Sequence, residues 1–266
     1  MIEIPMGKKQ GLEQSTILSI NGEKVQGSQD RQTITALNRP NKTTANHTMA
    51  SDRPSVSVTT SPAAASAATT MPIAPSAMAI PKLQHTVQKG QKIPLQLDGS
   101  SPLVKACFGW NAANALCDVD VSAFLLDENG TVLGDDWFVF YGQPQSPDKS
   151  VVLKSAEQND RQQIDIAFAQ LDWRVRRIVF VLTMNEAFDK KLHFGMLRDA
   201  YVRILTADHA ELVSFPMEDY YDTVISMMIG ELYQYKGAWK FYAIGNGMAK
   251  DLAGICRFYG VDVSES

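Results

Sequence analysis

The chain has 266 residues, 45% of them hydrophobic, and a formal charge of −4. That balance gives no electrostatic case for nucleic acid or an anionic membrane surface, and no run of eighteen apolar residues occurs, so direct membrane insertion is not expected. The first thirty residues hold no apolar run of signal-peptide type, and a cytoplasmic protein is the expectation.

Taken in order, the chain changes texture near residues 42 and 82. Residues 1–42 are polar, with one hairpin pattern in which Thr16–Ile20 and Glu23–Val25 flank Asn21-Gly22. Residues 43–82 are rich in Ser, Thr, Ala and Pro, as in Ser61-Pro62-Ala63-Ala64-Ala65. Such composition buries too little apolar area to offset its ordering entropy, so a disordered, low-complexity linker is expected there. From 83 to 266 the pattern is that of a folded domain.

Val87–Leu95 reads as an opening strand and Val104–Trp110 as a second. In the next strand Cys117, Val119, Val121, Ala123 and Leu125 share one face, while Asp118, Asp120 and Ser122 share the other. Asp127-Glu128-Asn129-Gly130 supplies a turn. The return strand puts Trp137, Val139 and Tyr141 on one face and Phe138 and Phe140 on the other, which predicts a central strand covered on both sides. Ile164, Ile166 and Phe168 alternate as a further strand, and Arg177–Thr183 is an apolar run of central-strand length. Arg198–Leu205 pairs with Glu211–Phe215 across a four-residue turn, and Thr223–Tyr235, which suits helix or strand, is read as a hairpin with Ala238–Ile244 because Lys236-Gly237 and an aromatic-rich stretch follow it. Met248, Leu252, Ile255, Cys256 and Tyr259 share one helical face, with Gly260 as the stop. The sum predicts a mainly β fold: a two-sheet β-sandwich with a short C-terminal helix.

The chemistry on offer is sparse. Asp118 and Asp120 stand roughly 7 Å apart on one strand face. Carboxylates that close repel unless water screens them or a cation lies between them, and calcium, a hard ion with oxygen ligands, suits such a pair. The plainer reading is a solvated sheet face. Cys107, Cys117 and Cys256 show no zinc spacing, and Cys117 and Cys256 fall on apolar faces as small buried hydrophobes. There is no nucleophile elbow, phosphate loop or His-Glu-x-x-His, and Asp135-Asp136 and Glu218-Asp219 point apart in a strand, so an enzyme is not expected. Trp239, Phe241 and Tyr242 could form a ligand platform, but the alternation puts Trp239 and Phe241 in the sandwich core.

Residues from about Val87 to Val263 resemble the TerD domain family, linked to tellurite resistance and general stress response. The stretches that carry the resemblance are Phe108-Gly109-Trp110, Cys117–Leu126, Asp136–Tyr141, Ser146-Pro147-Asp148, Phe194-Gly195, Ala200–Ile204, Gly230–Tyr233 and Trp239–Gly247. The resemblance implies a β-sandwich that binds calcium through acidic residues at one end, with Asp118 and Asp120 as the first acidic pair. Its second acidic element, a glycine-rich loop, is replaced here by Lys154–Gln163, which lacks the glycines and keeps Glu157 and Asp160 as carboxylate ligands. Lys154 and Arg161 add positive charge to that loop. The implied function is a stress-response binding module that associates with other proteins, with calcium at Asp118, Asp120, Glu157 and Asp160. The alternatives are a scaffold whose ion site has decayed, and an uncharacterised enzyme.

This division predicts that limited proteolysis cuts within 43–79 and leaves a resistant fragment beginning near Pro81. A stable fragment retaining 43–79 would contradict it.

Overall fold

The computed structural model describes residues 77–97, 102–156 and 159–263. The hairpin read at residues 16–25, the linker at 43–76 and Glu157 lie outside the described residues.

Two antiparallel sheets face each other. The first runs β1 (Lys92–Pro94), β11 (Ala238–Met248), β10 (Ser226–Tyr235), β7 (Arg177–Met184), β3 (Val119–Leu126) and β4 (Phe138–Val139), in that spatial order. The second runs β5 (Val151–Ser155), β6 (Gln162–Ala167), β2 (Leu103–Ala112), β8 (Leu197–Thr206) and β9 (Glu211–Pro216). Alternating residues of the two inner faces fill the space between them, and Val104, Ala106, Phe108, Ala123, Leu125, Phe180, Leu182, Val202, Ile204 and Phe241 are all essentially inaccessible to solvent. The predicted sandwich is what the chain forms.

The six-stranded sheet is covered on its outer side as well, but only in part. Helix α2 (Leu252–Phe258) lies there, and its Leu252, Ile255 and Cys256 pack with Phe124, Phe138, Phe140, Val181 and Met248 in a second cluster. Asp251 caps the helix by accepting a hydrogen bond from the Gly254 N–H at 2.7 Å, and Gly260 ends it with φ +82°. A four-residue helix, α1 (Ala187–Lys190), follows β7. Met248, read as the start of the C-terminal helix, is instead the last residue of β11.

The hairpin after β3 differs from expectation. Asp127–Thr131 turns as the Asn-Gly signal predicts, with Gly130 at φ +82° and its N–H donating to the Asp127 carbonyl. The chain then coils through a 3₁₀ turn at Asp135–Trp137, so the returning strand shrinks to Phe138–Val139. Both faces of β4 are buried, but it is the edge of its sheet, not a central strand, and Tyr141 is exposed. The 3₁₀ turn also means that Asp135-Asp136 is not in a strand; Asp135 accepts a hydrogen bond from the Asp262 N–H.

The later hairpin follows the sequence closely. Lys236 and Gly237 both take positive φ, 50° and 79°, the conformation of a tight turn whose twist matches its strands. Gly109 faces Tyr201 across the β2–β8 pair, and a Cβ there would meet the tyrosine ring at 2.4 Å. The missing side chain is what lets Tyr201 lie flat on the sheet. Phe241 is fully buried, whereas Trp239 is only half-buried at the sandwich end, stacked on Phe168 with centroids 4.8 Å apart.

Phe241→Ala is therefore expected to destabilise by about 3–5 kcal/mol, the cost of deleting a fully buried aromatic side chain, and Trp239→Ala by clearly less. Equal losses in a denaturant titration would contradict this placement.

Candidate functional site

The acidic pair sits where β3 begins, at one end of the sandwich. Register sets its surroundings: Asp120 lies directly opposite Thr183 on β7, and Val119 opposite Met184. The ladder continues past the strands, with the Asn185 N–H donating to the Asp118 carbonyl at 2.8 Å. The Asn185 side chain donates from Nδ2 to Asp118 Oδ2 at 3.2 Å. Gln162 reaches across from the other sheet, its Oε1 accepting from the Val121 N–H at 2.7 Å and its Nε2 standing 3.5 Å from Asp120 Oδ1.

Beside this pair is a cavity of about 10 Å³, lined by Asp120, Ser122, Phe140, Tyr141, Thr183 and Asn185, with Leu252 of the helix as a wall. That is room for one water-sized sphere. Two oxygens there, Thr183 Oγ1 and Asn185 Oδ1, are buried without a hydrogen-bond partner among the described residues. Buried acceptors without partners are costly and uncommon in folded proteins. Burial pushes the Asp120 pKa up, the Asp118 charge adds to the rise, and the Gln162 contact opposes it. Burial likewise raises the Tyr141 phenol, with help from Asp120 and Asp118. The end of β3 thus holds the Asp120 carboxylate, the Thr183 hydroxyl and the Asn185 amide around a small space, with Asp118 bonded to the Asn185 amide beside it.

Of the other two carboxylates proposed from the sequence, Asp160 alone is among the described residues. Glu157 lies outside the described residues. Asp160 is buried and fully engaged: Arg203 grips it at two points, Nη2 to Oδ2 at 2.6 Å and Nε to Oδ1 at 3.1 Å, and the Tyr201 hydroxyl donates to Oδ1 at 2.7 Å. Such a bidentate, hydrogen-bonded pair commits the Asp160 carboxylate to holding the sheet together. The cations of the loop are also engaged. Lys154 pairs with Asp165 at 2.6 Å, and Arg161 donates to the Trp110 carbonyl at 2.6 Å while lying over that ring. Among the described residues no group of three His, Cys, Asp or Glu side chains is placed to hold a metal ion. Thr183 and Asn185 escaped the sequence reading because their oxygens are not carboxylates; Thr183 looked like the end of an apolar strand.

Comparison with known proteins gives the family. The description "TerD domain" matches residues 83–259. The chain belongs to the TerD domain family. It is 34% identical over 165 residues to a tellurium resistance protein TerD of Serratia marcescens, covering 59% of this chain and 86% of that one. It is 31% identical over 190 residues to general stress protein 16U of Bacillus subtilis, covering 67% and 98%. A solved homologue of telluride resistance protein from Streptomyces coelicolor A3(2) aligns with a TM-score of 0.45 at 12% identity, covering 58% of this chain and 94% of that one.

The raised pKa of Asp120 has a definite sign. A carboxyl whose folded pKa exceeds its unfolded one binds more protons when folded, so stability falls as pH rises through that window. Asp120→Asn should therefore raise the melting temperature at neutral pH without divalent cations, and the gain should vanish as pH falls below the ordinary carboxylate value. An unchanged melt at neutral pH would contradict it.

Proposed function

We propose that this TerD-family chain is a stress-response binding module of the tellurium-resistance type, which acts by associating with other proteins and takes up a calcium ion at Asp118 and Asp120. The observation that carries the ion is the pair of unpartnered oxygens of Thr183 and Asn185 beside two close carboxylates. Calcium takes six to eight oxygen ligands. The residues present fit in part, offering four oxygen-bearing side chains, with water left to complete the shell. Charge count and site rigidity set calcium affinity, so a site without Asp160 is a weak one. When bound, the ion would neutralise Asp118 and Asp120 and give the orphaned oxygens a partner. The names of the relatives, a tellurium resistance protein and a general stress protein, support the stress-response part of this reading. A binding role rather than catalysis is further supported by Asp160 and Arg203, whose charges are spent on each other inside the fold.

A second reading is a scaffold that has lost its ion. The Asp160–Arg203 pair favours it, because a carboxylate near the site serves structure instead.

A melt with and without calcium separates the two. Under the first reading, calcium at about 100-fold over Kd adds roughly 2.7 kcal/mol of stability, and Asp118→Asn abolishes that gain. Under the second, calcium does nothing, and Asp118→Asn is neutral or slightly stabilising because it relieves repulsion.

A further inference from the structure

Helix α2 covers only one half of the outer face of the six-stranded sheet. The other half, toward the Lys236-Gly237 turn, carries Lys92, Lys236, Lys240, Arg177, Tyr233, Tyr235 and Tyr242. Strand register arranges them in rows that run across the strands. In one row Lys92 of β1 lies opposite Tyr242 of β11, which lies opposite Glu231 of β10. In the next, Lys240 lies opposite Tyr233, which lies opposite Arg177 of β7. Neighbouring strands are about 4.8 Å apart, so each row sets a cation beside a ring at that spacing, and the second sets a cation on either side of one.

The lysines lie against the rings, and Lys92 also acts on the charge of Glu231. Lys92 Nζ lies 4.6 Å from the centre of the Tyr242 ring and 5.8 Å from that of Tyr233. Lys240 lies 4.6 Å and Lys236 5.4 Å from the Tyr235 ring. Among the described residues none of these three lysines forms a salt bridge; the only carboxylate in the patch, buried Glu231, stands 3.7 Å from Arg177. Four cations thus face one carboxylate on an open sheet surface, and Tyr235 is half exposed.

We propose that this half-face is a binding surface for single-stranded nucleic acid. The anionic backbone would neutralise the lysines and Arg177, and unpaired bases would stack on the tyrosines in place of the lysine ammonium groups. A sheet that presents aromatic rings between cations is how single strands are held without strong sequence preference. The chain's negative net charge does not oppose this at short range, because at physiological ionic strength charges farther off than about 8 Å are largely screened. An acidic peptide would satisfy the lysines equally but would leave the interleaved rings without a role. The surface lies away from the acidic pair, and its occupancy does not depend on the ion.

The test is fluorescence anisotropy of a labelled ten-residue oligothymidylate titrated with the full chain. Three net cations predict a log–log salt slope near −2, so binding should weaken roughly 20-fold between 50 and 200 mM salt. Lys92→Glu combined with Lys240→Glu should abolish it, and Tyr235→Leu should weaken it at least about fivefold. These side chains lie outside the core, and an unchanged melt confirms that each variant folds; Lys236→Glu serves if the double variant does not. Absence of binding at 50 mM salt would overturn the proposal. So would binding indifferent to Tyr235→Leu and displaced equally well by deca-glutamate, the result that marks an acidic-peptide surface.

Discussion

Burial of the six-stranded sheet on both of its faces is the constraint from which the rest follows. Its inner face packs against the second sheet through Ala123, Leu125, Phe180, Leu182 and Phe241, and part of its outer face packs against α2 through Phe124, Phe138 and Val181. A strand apolar on both faces cannot slip by one residue without moving one apolar set into water. Register is thereby fixed, and with it the position of every polar side chain at the strand ends. Asp120 faces Thr183 because Ala123 must face Phe180 on the inner side. That packing sets where the side chains of the site stand.

The same logic divides the acidic residues into two kinds. Asp118 and Asp120 stand at a rim, where packing holds two like charges together and leaves two oxygens unpartnered. Asp160 is drawn to the outer face of the other sheet, where Arg203 and Tyr201 satisfy it. Breaking a buried pair of that kind costs several kcal/mol, because it strands a charge away from water. Asp160 therefore belongs to the architecture.

Much of this was legible in the sequence, for a physical reason. Long apolar strands bounded by turn residues, such as β3, β8 and the β10–β11 hairpin with its Lys-Gly turn, declare themselves because burial runs nearly their whole length. β5 did not, since Val151–Ser155 carries only one fully buried residue and follows a polar loop. The 3₁₀ turn at Asp135–Trp137 was hidden because its apolar continuation, Trp137 to Tyr141, alternates like a strand whether or not it pairs along its length. Half of the site was visible, because two carboxylates at i and i+2 must share a strand face. Thr183 and Asn185 were not, since their place beside Asp120 depends on the pairing of strands about sixty residues apart. Asp160 was misplaced for the same reason: a carboxylate in a polar loop reads alike whether a cation or a distant arginine takes it.

The central claim is that the rim of β3 is a built oxygen site, not a leftover of packing. Calorimetric titration of calcium into the full chain and into Thr183→Val tests it most directly, because Thr183 carries no charge and its loss removes a ligand without relieving repulsion. The account predicts a single weak site per chain whose affinity falls at least about tenfold in Thr183→Val. Binding of equal strength in both proteins, or no heat of binding in either, would contradict it.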